Sequence, residues 1–357
     1  MVEDSRRYFW FPWSGQTSTF PTYIGAASTV ALPWRSPNDN QKVYVEEFGK
    51  AMVKHLKEVT RNGKPIVRVN AGRMMTIVAQ SGYAGMADWL VEILNAPAES
   101  LEIKIYALES LRYLLAIRRK EKPNATIFSD PANLTKITEA LLKIVTEKPD
   151  FQVPAAGTPE ANSNAGKDAI DRMRVFMFYR RKAVEAVASL PVGVIADDLG
   201  RISVRPAHTL MMIALNDTRI EPPVTMRERI EAMIGVLNMI PDEKMNVDYA
   251  TYGMAKVLQE LVRERAQGLN SVPWKQSAAR IKEAFNHGRE LAKLKNVANK
   301  QMVIDLDRIA SELLTPVIDK GLEAQVDANK LNQWITDNPL KVNSLFLDDA
   351  KLFLDPR

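Results

Sequence analysis

The chain has 357 residues, a net charge of +5, and 46% hydrophobic and 25% charged residues, the balance of a globular protein long enough to bury a sizeable core. It has no cysteine, which excludes disulfide frameworks, thiolate nucleophiles and Cys-ligated zinc or iron–sulfur sites. The positive charge is too small for this length to argue nucleic-acid binding by itself, and no apolar run is long enough to span a membrane.

Residues 1–42 differ from the rest. They hold Trp10, Trp13 and Trp34 among several other aromatics, and Pro12, Pro21, Pro33 and Pro37 break any continuous helix. This reads as an extended arm whose aromatics pack along the body and cap its apolar end, with a partner-binding arm or a spacer from an upstream region as the alternatives and the three tryptophans as candidate contacts. The first 20 residues lack a signal-peptide hydrophobic region, so a chain that starts at Met1 is expected to be cytoplasmic.

The first helix follows Asn40: Val45, Phe48, Met52, Leu56 and Val59 recur at three- and four-residue spacing. It stops at Asn62-Gly63-Lys64-Pro65. Further helices are predicted over 66–81, 87–94, 101–118 and 131–147, with Pro97 ending one of them and Ser100 placed to cap the next. Residues 148–166, rich in Pro, Ala, Gly, Asn and Thr, read as an inserted mobile loop. Helices then follow from Lys167 to Pro191 and over 206–215, 225–240, 246–266, 273–294, 299–320 and 327–336. Val192–Val204 supplies at most one short strand. The apolar triplets Leu345-Phe346-Leu347 and Leu352-Phe353-Leu354 need a surface to lie on, in this chain or in another.

One phrase recurs. It reads Val67-Arg68-Val69-Asn70-Ala71, Ile103-Lys104-Ile105-Tyr106-Ala107, Tyr179-Arg180-Arg181-Lys182-Ala183 and, more loosely, Glu228-Arg229-Ile230-Glu231-Ala232. Each copy has a basic residue three before the alanine and apolar residues four and seven after it. At about 100° per residue, the alanine and those apolar positions share one helix face. The alanine lets a neighbouring helix approach closely. The basic residue lies at the edge of that face, where its stem can bury while its head reaches a carbonyl or an acid on the next repeat. Arg181 and Glu228 stand where other copies are apolar.

The phrases at 67–71 and 103–107, with the helix 87–94 and Pro97 between them, resemble HEAT repeats and, more loosely, the armadillo-like α-solenoids. The resemblance covers about residues 43–240 and implies an all-α, right-handed α-solenoid of antiparallel helix pairs behind an extended N-terminal arm. Residues 241–357 either continue the solenoid or form a C-terminal helical cap.

Chemistry-bearing motifs are sparse. His55, His208 and His287 lie far apart and outside any metal-ligand spacing, and there is no GxSxG, P-loop or GxGxxG. No cofactor or metal is expected. Asp305 and Asp307 are read as solvated charges. The electrostatic feature that stands out is Arg172, Arg174, Arg181 and Lys182, interleaved with Phe176, Phe178 and Tyr179 and free of acids from 172 to 182. With Arg118 and Arg119 on the preceding inner helix it makes a candidate patch for a partner or an anion. The expected function is a non-catalytic protein-interaction scaffold with a protein partner. The alternatives are a nucleic-acid-binding solenoid and a HEAT-like enzyme of the DNA glycosylase or lyase type.

Overall fold

The structure is a computed structural model that describes residues 39–117, 128, 131–155, 157–193, 195–196, 202–240, 245–269, 272–294, 300–340 and 344–346. The described residues are mainly helical. In chain order the helices are α1 (Asp39–Val59), α2 (Pro65–Gln80), α3 (Ala87–Asn95), α4 (Leu101–Ala116), α5 (Pro131–Thr146), α6 (Pro159–Asn162) and α7 (Asn164–Val187). They continue with α8 (Arg205–Ala214), α9 (Met226–Asn238), α10 (Val247–Ala266), α11 (Trp274–Leu294), α12 (Lys300–Lys320) and α13 (Asn329–Asp337). The chain divides into two compact units, one up to Ser129 and one from Asp130 on. The helices expected over 43–240 are thus shared between the units, and those beyond 241 belong to the second.

In the first unit α1 packs on α2, α3 on α4, and α2 on α4. The helices that carry the first two phrases therefore lie directly against each other. Their contact is close because Gly72 has no side chain: a Cβ there would enter the ring of Tyr106. Met75, Val78, Leu90, Ile103, Leu108, Leu111 and Leu114 fill the space between these helices, and each buried methylene contributes about 0.8 kcal/mol. Ser100 occupies the position before α4, but its side chain makes no capping bond; the carboxylate of Glu99 instead accepts from the Ser100 amide at 2.8 Å.

In the second unit α5 packs on α7, α7 on α9, α8 on α9, and α9 on α11. Beyond these, α10 meets α8, α12 and α13, and α11 lies along α12. The loop expected over 148–166 contains the short helix α6 and the start of α7. Thr158 caps α6 through its hydroxyl, and Ser163 caps α7 by accepting from the Gly166 amide at 3.0 Å. The single strand expected over 192–204 is a pair of two-residue strands, Ile195–Ala196 and Ile202–Ser203, joined antiparallel. The first triplet near the C-terminus finds its surface within this chain. Leu345 and Phe346 are buried, Phe346 bridges to Met245, and the Asn246 amide donates to the Leu345 carbonyl at 2.7 Å. Leu347 and the triplet at 352–354 lie outside the described residues, as does the arm up to Asn38, with Trp10, Trp13 and Trp34. Helix α1 already begins at Asp39, so the helix takes the last residues assigned to the arm.

All four phrase alanines, Ala71, Ala107, Ala183 and Ala232, are buried. So are the apolar positions after them: Met75 and Val78, Leu111 and Leu114, Val187 and Leu190, Val236 and Met239. The basic residues divide into two kinds. Arg180 and Arg229 are buried and tie their helices to neighbours, whereas Arg68 is half-buried and reaches only back to the Asn62 carbonyl at 3.5 Å. Among the described residues, no helix is long and apolar enough to cross a membrane.

Candidate functional site

Helix α7 has two faces with different tasks. Its inner face carries Arg180, Ala183, Val184 and Val187 into the core of the second unit. Arg180 is the node of that face. Its Nε donates to Glu228 Oε1 at 2.7 Å and its Nη2 to Glu228 Oε2 at 3.1 Å, while Nη1 donates to the Pro222 carbonyl at 2.7 Å. Glu228 is at the third position of α9 and completes a capping box: its Oε2 accepts from the Thr225 amide at 2.7 Å and the Thr225 hydroxyl at 2.8 Å. Every charge in this node is answered by hydrogen bonds, which is what lets a full ion pair survive burial.

Arg229 repeats the device one residue further on. Its Nε donates to the Ala214 carbonyl at the end of α8 at 2.9 Å, and its Nη1 pairs with Glu260 of α10. Arg265, on α10, donates to the carbonyls of Gly321 and Leu322 at 3.1 and 3.0 Å and to that of Ala324, closing the C-terminal end of α12. These arginines hold the fold together and are not available to a ligand. Glu228, out of place in an apolar slot of the phrase, is the partner that the preceding phrase's arginine requires.

The outer face of α7 is different. Lys167, Asp171, Arg174, Val175, Phe178, Arg181, Lys182 and Glu185 recur along it at three- and four-residue spacing, within about 60° of Phe178 on the wheel. Val175 is 45% exposed and Phe178 39%. The Arg181 guanidinium lies 4.9 Å from the Phe178 ring centre and the Lys182 ammonium 5.9 Å. Glu185 holds both cations, at 3.5 and 2.8 Å, and Asp171 holds Arg174 at 2.8 Å. The Arg181 Nε is buried without a hydrogen-bond partner.

The candidate patch is therefore brought together only in part. Arg174, Arg181 and Lys182 lie along one side of the helix, but Arg174 is exposed whereas Arg181 and Lys182 are mostly buried beside Glu185; Arg172 points to another side, 3.6 Å from Asp150 and stacked on the Phe151 ring at 4.3 Å. Arg118 and Arg119 lie outside the described residues. Val175 and Lys167 were not among the candidates; their signal was the spacing 167, 171, 174/175, 178, 182, which marks one stripe opposite the buried one. Tyr179, interleaved with the cations, is mostly buried, and burial together with the Glu147 charge raises its phenol well above the usual range.

Elsewhere the chemistry is structural. His287 is exposed, His55 and His208 are half-buried, and among the described residues no group of His, Asp and Glu could hold a metal ion. Asp307, expected in solvent, is buried and accepts from Arg289 Nη1 at 2.6 Å, tying α12 to α11. A cleft of about 190 Å³ lies between α12 and α13, lined by Ile309, Leu313, Pro316 and Val326 with the Lys330–Glu312 pair beside it. That is below the ~300 Å³ at which ligand pockets begin. No protein-family model, curated protein or solved structure matches the chain.

Proposed function

We propose that this chain is a non-catalytic interaction scaffold, built as a HEAT-like α-solenoid and binding a protein partner on the surface of its helices. The observation that supports this most directly is the packing of phrase-bearing helices on one another: α2 on α4, and α7 on α9. Such contacts between equivalent helices are how inner helices of a solenoid stack. The basic residues of the second unit's phrases are consumed by that packing, so recognition falls to the outward faces, of which that of α7 is the most distinctive.

Affinity capture with the whole chain, repeated with residues 1–42 deleted, tests the reading. A partner retained in fixed stoichiometry by both forms supports a scaffold that binds through its helices. Binding lost with the arm moves recognition to Trp10, Trp13 and Trp34 and overturns the helical surface as the site. Retention on heparin with steep salt dependence, and no protein partner, favours the nucleic-acid-binding alternative instead.

A further inference from the structure

We infer that the cleft between α12 and α13 is the seat of this chain's own C-terminal triplet, Leu352-Phe353-Leu354, a contact that stands apart from the scaffold reading. The cleft is small for a ligand, but about 190 Å³ suits one or two apolar side chains. In its lining Ile309 and Leu313 are buried, and Pro316 and Val326 are half-buried. Its rim carries both signs, with Glu312 and Asp327 acidic and Lys330 basic. The tail answers these features in one short run: Lys351, then the three apolar residues, then Asp355.

Charge and reach select this occupant. With Phe353 on the apolar floor, Lys351 stands to one side to meet Glu312 or Asp327, and Asp355 to the other to meet Lys330. The Lys330–Glu312 pair at the rim is open to solvent, with side chains 70% and 47% exposed, and such a pair costs little to exchange. The chain leading into the tail is anchored at the start of α10. There Asn246 donates through its amide to the Leu345 carbonyl at 2.7 Å and through Nδ2 to the Ser344 carbonyl at 2.9 Å. Further along α10, Gln259 donates to Asn332 of α13 at 2.7 Å, two residues beyond Lys330. Asn246 and Gln259 are about 20 Å apart along the helix axis. The chain from Phe346 to Phe353 spans up to about 25 Å, so the cleft lies within reach of the anchored tail. A triplet tethered at that distance has an effective concentration on the order of millimolar, which a free segment of another molecule does not match.

The test exploits the absence of cysteine from the chain, since any cross-link must then join an introduced pair. In the full chain, Gln325→Cys places a thiol at the exposed rim of the cleft and Leu354→Cys places one beside Phe353. Oxidised glutathione closes a disulfide between them only when their Cα atoms come within about 7 Å. This pair is expected to close within one chain at least tenfold faster than a control pair, Leu354→Cys with Glu283→Cys. Glu283 is exposed on α11 and does not line the cleft. Adding Phe353→Ser to the Gln325 pair removes the apolar anchor and is expected to bring its rate down to that of the control, with the circular dichroism spectrum unchanged. The inference is overturned if the two pairs close at the same rate or if Phe353→Ser leaves the rate of the Gln325 pair unchanged. It is also overturned if the disulfide joins two chains, seen as a dimer on a non-reducing gel, which would seat a second copy's tail in the cleft.

Discussion

Arg180 and Glu228 form an ion pair 2.7 Å apart with both side chains only 1% exposed, linking the middle of α7 to the first turn of α9. The pair joins two copies of the recurrent phrase and, through the Pro222 carbonyl, the loop between them. Removing one member leaves the other charge buried. Arg180→Met is therefore expected to destabilise the second unit by about 3–5 kcal/mol, read as a drop in urea midpoint. Arg180→Met with Glu228→Met should cost clearly less than the two single changes added together. Additivity of the two would show that the residues do not act as a pair.

Much of the helical layout was legible because apolar spacing reports directly on helix faces. Apart from the short α6, which lies in the stretch read as a loop, predicted and observed helices agree to within a few residues, and the phrase alanines are buried as the wheel requires. What the spacing did not disclose was pairing across distance. Glu228 looked like a defect in the repeat because its partner, Arg180, is 48 residues away. Asp307 looked solvated for the same reason: Arg289, on α11, is what lets it be buried. The patch was half legible. Residue type singled out Arg172, but only the placement of Phe151 and Asp150 shows that it leaves the strip formed by Arg174, Phe178 and Arg181.

Gly235 lies on the side of α9 that meets the end of α7. A Cβ there would come within 2.7 Å of the Ala188 Cα and 2.9 Å of Leu210 Cδ1. Gly→Ala in an open helix interior gains about 1 kcal/mol. Here the obstacle is backbone, so Gly235→Ala is expected to lose about 1–3 kcal/mol net. Gly63→Ala, with nothing within 4 Å of the new carbon, is the control and should be neutral or slightly stabilising. A thermal melt of both variants decides it; a higher melting temperature for Gly235→Ala would contradict the close α7–α9 approach.

Arg265 gathers the carbonyls of Gly321, Leu322 and Ala324 around one buried guanidinium. Arg265→Met keeps much of the stem but supplies no donors, so these carbonyls lose their partners at a cost of about 1–3 kcal/mol. The loss should be local first. Hydrogen exchange is expected to speed up at the end of α12 and over residues 321–324 before it changes in α5. Uniform acceleration across the second unit would mean that Arg265 supports the whole unit rather than this end.

Tyr179 gives the second unit an alkaline limit. Burial and the nearby Glu147 charge hold its phenol protonated above the pH at which an exposed tyrosine ionises, near 10. The folded chain thus keeps a proton that the unfolded chain releases, and stability must fall as pH rises past about 10. Below that pH both states are protonated and the contribution is fully present. Tyr179→Phe removes the titrating group while keeping the ring, so its urea midpoint should decline less between pH 9 and pH 11 than that of the unmodified chain. Tyr83 and Tyr249 are shifted in the same direction by burial, so a residual decline is expected in the variant. Equal declines in the two proteins would mean that Tyr179 ionises in the folded state as freely as in water.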